Sequence, residues 1–302
     1  MKFRFKITVF TPTYNRENTL LRLYDSLVGQ TYKDFEWLIV DDGSTDDTEK
    51  LVQKWFTENL ITIRYFKQEN GGKHRAINRG LDLAEGELFF IVDSDDFLPD
   101  NSLEIIKSYS NKIRGSIVGV AGRKQYADKS KIGGEFGIKE FVSNHIEKRT
   151  LKGAMGDLAE VVKTDVLKQC KFPDFEGERF CAEGLMWNKL AKIGDLYFFD
   201  VTVYTAEYLE EGLSSNSIRN RRKSPLYAMQ LYSELAQDKR LPLKLKIRTY
   251  INFWRFSFFS QLSFIEKWKK LNNSFLGLLC LPLGWLMKIK DDKNSNVQIN
   301  NK

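Results

Sequence analysis

Cysteine and histidine are scarce in this 302-residue chain. The three cysteines, Cys170, Cys181 and Cys280, are far apart and odd in number, which excludes a disulfide framework and a cysteine-rich zinc site and fits a reducing compartment. With only His74 and His145, a multi-histidine metal centre is excluded too. The most apolar stretch of the C-terminal part, Phe275 to Met287, has thirteen residues and contains Gly277, Pro282 and Gly284. It is too short for a hydrocarbon core that needs about 20. The start, Met1-Lys2-Phe3-Arg4-Phe5-Lys6, is too brief and too interrupted by charge for a secretory signal. Hydrophobic residues at 42% and charged residues at 29% describe an ordinary globular chain, long enough for one large domain with an appendage.

Charge is unevenly spread. Residues 213–290 carry 15 Lys and Arg against 3 Asp and Glu, whereas residues 1–212 carry 30 against 35. A slightly acidic body with a strongly basic C-terminal part points to an anionic partner, either nucleic acid or a membrane surface.

The densest chemistry lies between Glu87 and Asp100. Leu88-Phe89-Phe90-Ile91-Val92 reads as a strand buried on both faces. It ends in Asp93, Asp95 and Asp96, and three carboxylates at a strand tip repel one another unless a positive charge joins them. Mg2+ or Mn2+, with oxygen ligands and a phosphate, is the simplest partner. Capping of the next helix accounts for one acid, Asp100, and not for three.

Around this strand the chain alternates. Apolar runs at 7–10, 35–40, 61–66, 88–92 and 117–121 are separated by helical stripes, such as Leu20, Leu23, Leu27 and Val28. Pro12 is expected to stop the first strand, and Ser44 or Thr45 to cap the second helix. Four alternations in about 115 residues predict βαβ units: a mostly parallel Rossmann-like α/β sheet with helices on both faces. Ligands bind such sheets beyond the carboxyl ends of the strands. Three of those ends read Thr-Pro-Thr-Tyr-Asn-Arg, Asp-Asp-Gly-Ser and Asp-Ser-Asp-Asp, and they are expected to share one crevice.

Residue type suggests roles at that rim. Tyr14 offers a flat face for a base, or for packing. Asp42 can accept a hydrogen bond from an imide N–H, which uracil has, or can cap a helix. Gly71-Gly72-Lys73 at a helix start is either an anion site, with backbone N–H groups, a dipole end and a cation, or a plain turn. His74 reads as structural or as a helper.

The ordered set Thr-Pro-Thr-Tyr-Asn-Arg, Val-Asp-Asp-Gly-Ser-Thr-Asp, Asn-Gly-Gly-Lys, Asp-Ser-Asp-Asp and Pro-Asp resembles the family-2 inverting glycosyltransferases, clearly over residues 4 to about 122 and loosely over the next 85. The resemblance implies a nucleotide-diphospho-sugar transferase fold of type A and a hexosyltransferase activity with a UDP-sugar donor and a divalent Mg or Mn cation. By position, Pro12 and Tyr14 line the uracil pocket, Thr11 and Thr13 shape it, and Asp42 reads the base. Lys73 approaches the diphosphate, Asp93 and Ser94 lie near the donor and metal, and Asp95 with Asp93 ligates the metal.

Farther on, residues 122–153 are polar and read as an acceptor-side loop or as ordinary surface. Residues 158–167 are expected to return a strand and a short helix, and 195–206 to hold two strand-like runs. An inverting displacement needs a carboxylate to take the acceptor's proton. The family's Glu-Asp pair before a helix is here Glu183-Gly184, so Glu183 is the candidate base, or else a first-turn helix acid. Residues 207–222 read as a polar hinge ending in the cluster Arg219, Arg221, Arg222 and Lys223. From 243 to 265 the stripe Ile247, Ile251, Trp254, Phe258, Leu262 and Ile265 marks an aromatic, basic helix that either lies on a membrane or packs on the catalytic domain.

The expected organisation is a catalytic domain over 1–212 (donor half to about 122, acceptor half from 123), a basic helical region over 213–290 and a disordered tail over 291–302. The expected function is sugar transfer from a UDP-sugar to a glycan or polyprenyl-linked saccharide in surface polysaccharide synthesis. The expected place is cytoplasmic, peripheral on the inner face of the membrane through residues 243–290, with no nucleic acid bound. Two rivals are a sugar-phosphate nucleotidyltransferase, which lacks its Gly-rich basic loop here, and a non-catalytic basic binding protein, whose acidic crevice would repel phosphates.

Overall fold

The computed structural model of the chain describes residues 3–133, 138–150, 156–207 and 216–300, with side chains described for all of these except 149–150 and 294–300. The predicted alternation is present: β1 Phe5–Thr13, α1 Leu20–Val28, β2 Phe35–Asp41, α2 Thr48–Glu58, β3 Ile63–Lys67, α3 Lys73–Leu83, β4 Gly86–Ile91, α4 Ser102–Ser110 and β5 Ile117–Tyr126. Next come β6 Glu140–Ser143, β7 Leu158–Lys163, α5 Thr164–Leu167, α6 Gly184–Leu190 and β8 Asp195–Ala206. The eight strands form one sheet in the order β3-β2-β1-β4-β7-β5-β8-β6. β1 pairs in parallel with β2 and β4, β2 with β3, and β5 with β8. β7 runs antiparallel between β4 and β5. The expected α/β class, a mostly parallel sheet with helices on both faces and helices after it, is what the chain adopts.

Alternation along each strand divides the core. Ile7, Val9, Trp37, Ile39, Leu88 and Phe90 face one side, where Leu20, Leu23 and Leu27 of α1, Val52 and Trp55 of α2, and Leu103 and Ile106 of α4 cover them. On the other side Phe10 stacks on Phe89 at 5.0 Å, and α3 lies against Phe10 through Gly80.

Several local expectations change. β1 continues through Pro12 to Thr13, paired with Val40 and Asp41 of β2. The Phe10 carbonyl accepts from Val92 N, so by alternation the Pro12 nitrogen points to that same side, beyond the last β4 pairing at Phe10–Ile91. No ladder bond is lost there, so proline is tolerated. Neither Ser44 nor Thr45 caps α2, whose N-cap is Asp47. The N-cap of α4 is Asn101, not Asp100. The two runs expected over 195–206 are one strand, kept continuous by register shifts against β5. Within 122–153, β5 extends to Tyr126 and β6 adds an edge strand, while residues 134–137 and 151–153 lie outside the described residues.

The chain forms two compact units, Met1–Phe172 with Lys189–Glu210, and Pro173–Asn188 with Glu211–Lys302. Residues 208–215 of the expected hinge lie outside the described residues. The second unit then contains α7 Ser217–Lys223, α8 Pro225–Gln237, α9 Leu243–Ser257, α10 Phe264–Lys270, α11 Phe275–Leu279 and α12 Leu281–Asn300. Its core gathers Met229, Ala236, Tyr250, Phe253, Trp254, Leu271 and Cys280, with Ile247, Ile251, Phe258 and Leu262 packed on it. The part of the stripe on α9 (Ile247, Ile251 and Trp254) is therefore core, whereas Ile265, on α10, is exposed. Of the tail expected to be disordered over 291–302, the residues up to Asn300 instead continue α12 and 301–302 lie outside the described residues; Asp291 is buried against Arg255, with both carboxylate oxygens 2.6 Å from guanidinium nitrogens. Among the described residues no helix is long and apolar enough to cross a membrane.

A Cβ at Gly80 would stand 2.1 Å from the Phe10 ring. Alanine there gains up to about 1 kcal/mol of helix propensity, against about 1–3 kcal/mol of overpacking. Gly80→Ala is expected to lower the denaturation midpoint of the chain, measured by urea unfolding; an unchanged or higher midpoint would show that Phe10 moves aside freely.

Candidate active site

The parallel register brings the ends of β1, β2 and β4 to one rim, and hydrogen bonds join their loops. Asp42 N donates to the Thr13 carbonyl at 2.8 Å. Asn15 N donates to Ser44 Oγ at 2.8 Å, and Thr45 N to Asn15 Oδ1 at 2.8 Å, with Asn15 in the left-handed region at φ 51°. Ser44 thus fastens the β1 loop rather than capping α2. Thr11 and Thr13 are buried, and Thr11 Oγ1 accepts from Trp37 Nε1 at 3.0 Å. Tyr14, just past Pro12, is 46% exposed, so its ring is available to a ligand.

Asp42 lies just beyond β2 and organises the start of α3. Its Oδ1 accepts from Gln68 Nε2 at 2.7 Å and from Gly71 N at 3.0 Å, and its Oδ2 from Gly72 N at 2.7 Å. Gly72 has φ 99°, a conformation glycine reaches at no steric cost. The backbone N–H groups expected to hold a phosphate thus already hold a carboxylate of the chain itself, which corrects the anion-site expectation for Gly71 and Gly72. A carboxylate has about four acceptor positions, so Asp42 keeps one.

Lys73 is directed to the acids, with Nζ 2.6 Å from Asp93 Oδ1. Carboxylate oxygens of Asp93, Asp95 and Asp96 lie within 4.8 Å of one another. Burial raises the Asp93 pKa, but the charges of Lys73, Lys124 and Arg16 outweigh it and hold the carboxyl below the usual range. Asp95 is pushed up by burial and then by the charge of Asp93, with Arg16 3.8 Å away in opposition. Asp96 is pushed up to about 6, first by burial and then by Asp93. Ser94, between them, is buried. A cluster of hard oxygen donors whose acids resist ionising together fits a divalent cation such as Mg2+ or Mn2+, which Asp93, Asp95 and Asp96 could hold.

Three residues that sequence reasoning missed hold this loop. Tyr204 of β8, fully buried, accepts from Asp93 N at 3.0 Å and donates to Asp96 Oδ2 at 2.5 Å. Its pKa stands well above the ordinary value, through burial and then the charges of Asp93 and Asp96, so it remains a phenol and a donor. Arg22 of α1 donates to the Asp95 carbonyl at 2.6 Å and pairs with Glu207, whose N–H donates to Asp96 Oδ1 at 2.8 Å. Arg16, quoted in the first motif but given no role, is the cation facing Asp95. Arg22 and Tyr204 occupy ordinary positions in a helical stripe and a strand, so no spacing marked them.

His74 is buried with its ring edge-on to Phe172, in keeping with a structural part. Glu183 belongs to the second unit; it is half-buried, and its carbonyl accepts from Met186 N and Trp187 N at the start of α6. In the basic cluster Arg222 is paired with Asp292 at 2.6 Å.

The sequence profile of glycosyl transferase family 2 matches residues 8–160. The chain belongs to this family. Glycosyltransferase GlyA of Streptococcus pneumoniae is 42% identical over 101 residues, 33% of this chain but 14% of that protein, so the chain spans a small part of that relative. A protein of Campylobacter jejuni named GalNAc(5)-diNAcBac-PP-undecaprenol beta-1,3-glucosyltransferase is 28% identical over 78% of this chain and 76% of its own length. Among solved structures, S. aureus TarS 1-349 in complex with UDP-GlcNAc has a TM-score of 0.63 at 21% identity, covering 89% of this chain and 79% of that one. The mannosyltransferase PcManGT from Pyrobaculum calidifontis, in complex with GDP-Man and Mn2+, has a TM-score of 0.56 at 18% identity, covering 94% and 74%. These family-2 motifs therefore sit on a shared fold.

Tyr204→Phe removes one hydroxyl from behind the acids. Mn2+ affinity, read by electron paramagnetic resonance, is expected to fall about tenfold, as for other groups that orient metal ligands. UDP binding without metal should not change. Equal Mn2+ affinity in the variant would remove Tyr204 from the site. Because Asp96 in the cluster holds its proton up to about pH 6 and a cation must displace it, Mn2+ affinity should fall by up to about tenfold per unit below that pH. A flat profile down to about pH 5 would contradict the raised value.

Proposed function

We propose that this chain is an inverting glycosyltransferase that moves a sugar from a UDP-sugar to a hydroxyl of a lipid-linked saccharide in surface glycan synthesis, working peripherally at the inner face of the membrane. The observation that carries the reading is the acid cluster at the sheet's rim, bonded to Lys73 and adjoining the loops of Tyr14 and Asp42. The shared fold with a UDP-GlcNAc complex supports the donor class, and the undecaprenol-linked substrate in the C. jejuni relative's name supports the acceptor class.

In this reading the uracil lies on Tyr14 beside Pro12, in a pocket shaped by Thr11 and Thr13. Its imide N–H is taken by the acceptor position that Asp42 retains. Lys73 and Arg16 face the diphosphate, and Asp93 and Ser94 hold the ribose side. Asp95 and Asp93 would hold a divalent cation, which when bound would supply Lewis-acid compensation for the charge on departing UDP. Glu183 takes the proton of the acceptor hydroxyl, which attacks the anomeric carbon from the face opposite UDP and inverts it. The catalytic part is residues 1–212, and the helical part 213–290 serves the membrane.

The test is UDP release from a panel of UDP-sugars with and without Mn2+. Release that is metal-dependent and confined to one or few donors is expected; none from any UDP-sugar would sink the donor class. Asp95→Ala should abolish transfer and metal-dependent UDP binding, and normal turnover would remove the metal assignment. Glu183→Gln should keep UDP affinity while transfer falls by about 100-fold or more; unchanged turnover would move the base elsewhere.

A further inference from the structure

The second unit ends in a helix with two different faces. α11 and α12 are joined through Cys280 in helical geometry, and the Gly284 N–H bonds the Cys280 carbonyl at 3.0 Å. Gly277, Gly284 and Asp291 recur every seven residues, two turns, and so share one face. That face meets α9 closely. A Cβ at Gly284 would lie 2.4 Å from the Trp254 Cβ, and one at Gly277 would lie 3.1 Å from Leu271 and the Tyr250 ring. The Trp254 indole N–H donates to the Gly277 carbonyl at 2.7 Å, and Asp291 takes Arg255.

On the opposite face the spacing of three to four residues runs Phe275, Leu279, Leu283, Leu286 and then Lys290 and Lys293. All are exposed, Phe275 by 71% and Leu279 by 59%. Trp285 stands on the shoulder, half exposed. The stripe is apolar for its first three turns and basic after them, within residues 213–293, which carry 16 cations and 5 acids. A second copy would present an equally basic surface to this one, whereas anionic headgroups would neutralise the cations. An apolar and aromatic row that ends in lysines is what an interfacial helix presents to lipid.

We infer that the Phe275–Leu286 face of α11 and α12 is a docking surface that lies in the interface of an anionic bilayer, its leucines among the acyl chains and Lys290 and Lys293 at the phosphates. The inference deepens the proposed function and rests on it for its purpose, since it names the surface that would bring the enzyme to lipid-linked saccharide. It also moves the contact from α9, whose stripe is core, to α11 and α12.

The test is flotation of the full chain with phosphatidylcholine vesicles and with vesicles that also contain phosphatidylglycerol. Wild type should float with the anionic vesicles and more weakly with the neutral ones, and added salt should reduce the difference. Leu283→Glu with Leu286→Glu should lose about tenfold or more of vesicle affinity, with circular dichroism and metal-dependent UDP release unchanged. A wild type that stays unbound, or a variant that floats equally well, would overturn the inference. So would a wild-type dimer that the double substitution dissolves, because a second copy would then be the occupant. If the wild type floats but releases no UDP from any sugar, the enzymatic reading fails and the docking surface stands.

Discussion

Three carboxylates held within 4.8 Å of one another repel. A pair of full charges about 4 Å apart at an effective dielectric near 20 costs about 4 kcal/mol. The rim of the sheet is arranged around that repulsion. Lys73 and Arg16 face the acids with positive charge, while Tyr204, Arg22 and the Glu207 N–H fix the loop through its backbone and through Asp96. Asp42 acts one step back, since its carboxylate holds the turn from which Lys73 extends. The parallel sheet is what makes this possible: β1, β2 and β4 all deliver their carboxyl ends to the same side.

Much of this was legible in the residues. Buried parallel strands read as short apolar runs, and their polar ends stand out because nothing in the core tolerates Asp93, Asp95 or Asp42. The alternation therefore conveyed the fold, and the strand ends conveyed the polar rim where Asp42, Asp93 and Asp95 gather. What was not legible depends on contacts distant in sequence. Tyr204 looks like one more residue of a strand, and Arg22 like the polar face of a helix. Pro12 misled because its effect depends on where the neighbouring strand stops, and that is a property of the sheet rather than of the run.

The C-terminal helices show a different limit. Composition announced more apolar stripes than a surface can carry, but not which of them would be covered. Two glycines decide it. Gly277 and Gly284 let α11 and α12 approach α9 closely enough to enclose Trp254, so that face of α9 is interior and the opposite side of α11 and α12 remains open. Asp291, which composition placed in a loose tail, closes the same contact through Arg255.

The bond from Tyr204 to the acid loop spans 111 residues. As the chain leaves the ribosome, the motifs from Thr11 to Asp100 have emerged long before β8 has. Until that strand threads between β5 and β6, the aspartate loop is held by Arg22 of α1 but lacks the Tyr204 hydroxyl behind it. A nascent or truncated chain thus carries these motifs before the Tyr204 hydroxyl can bond the Asp93 N–H and the Asp96 carboxylate.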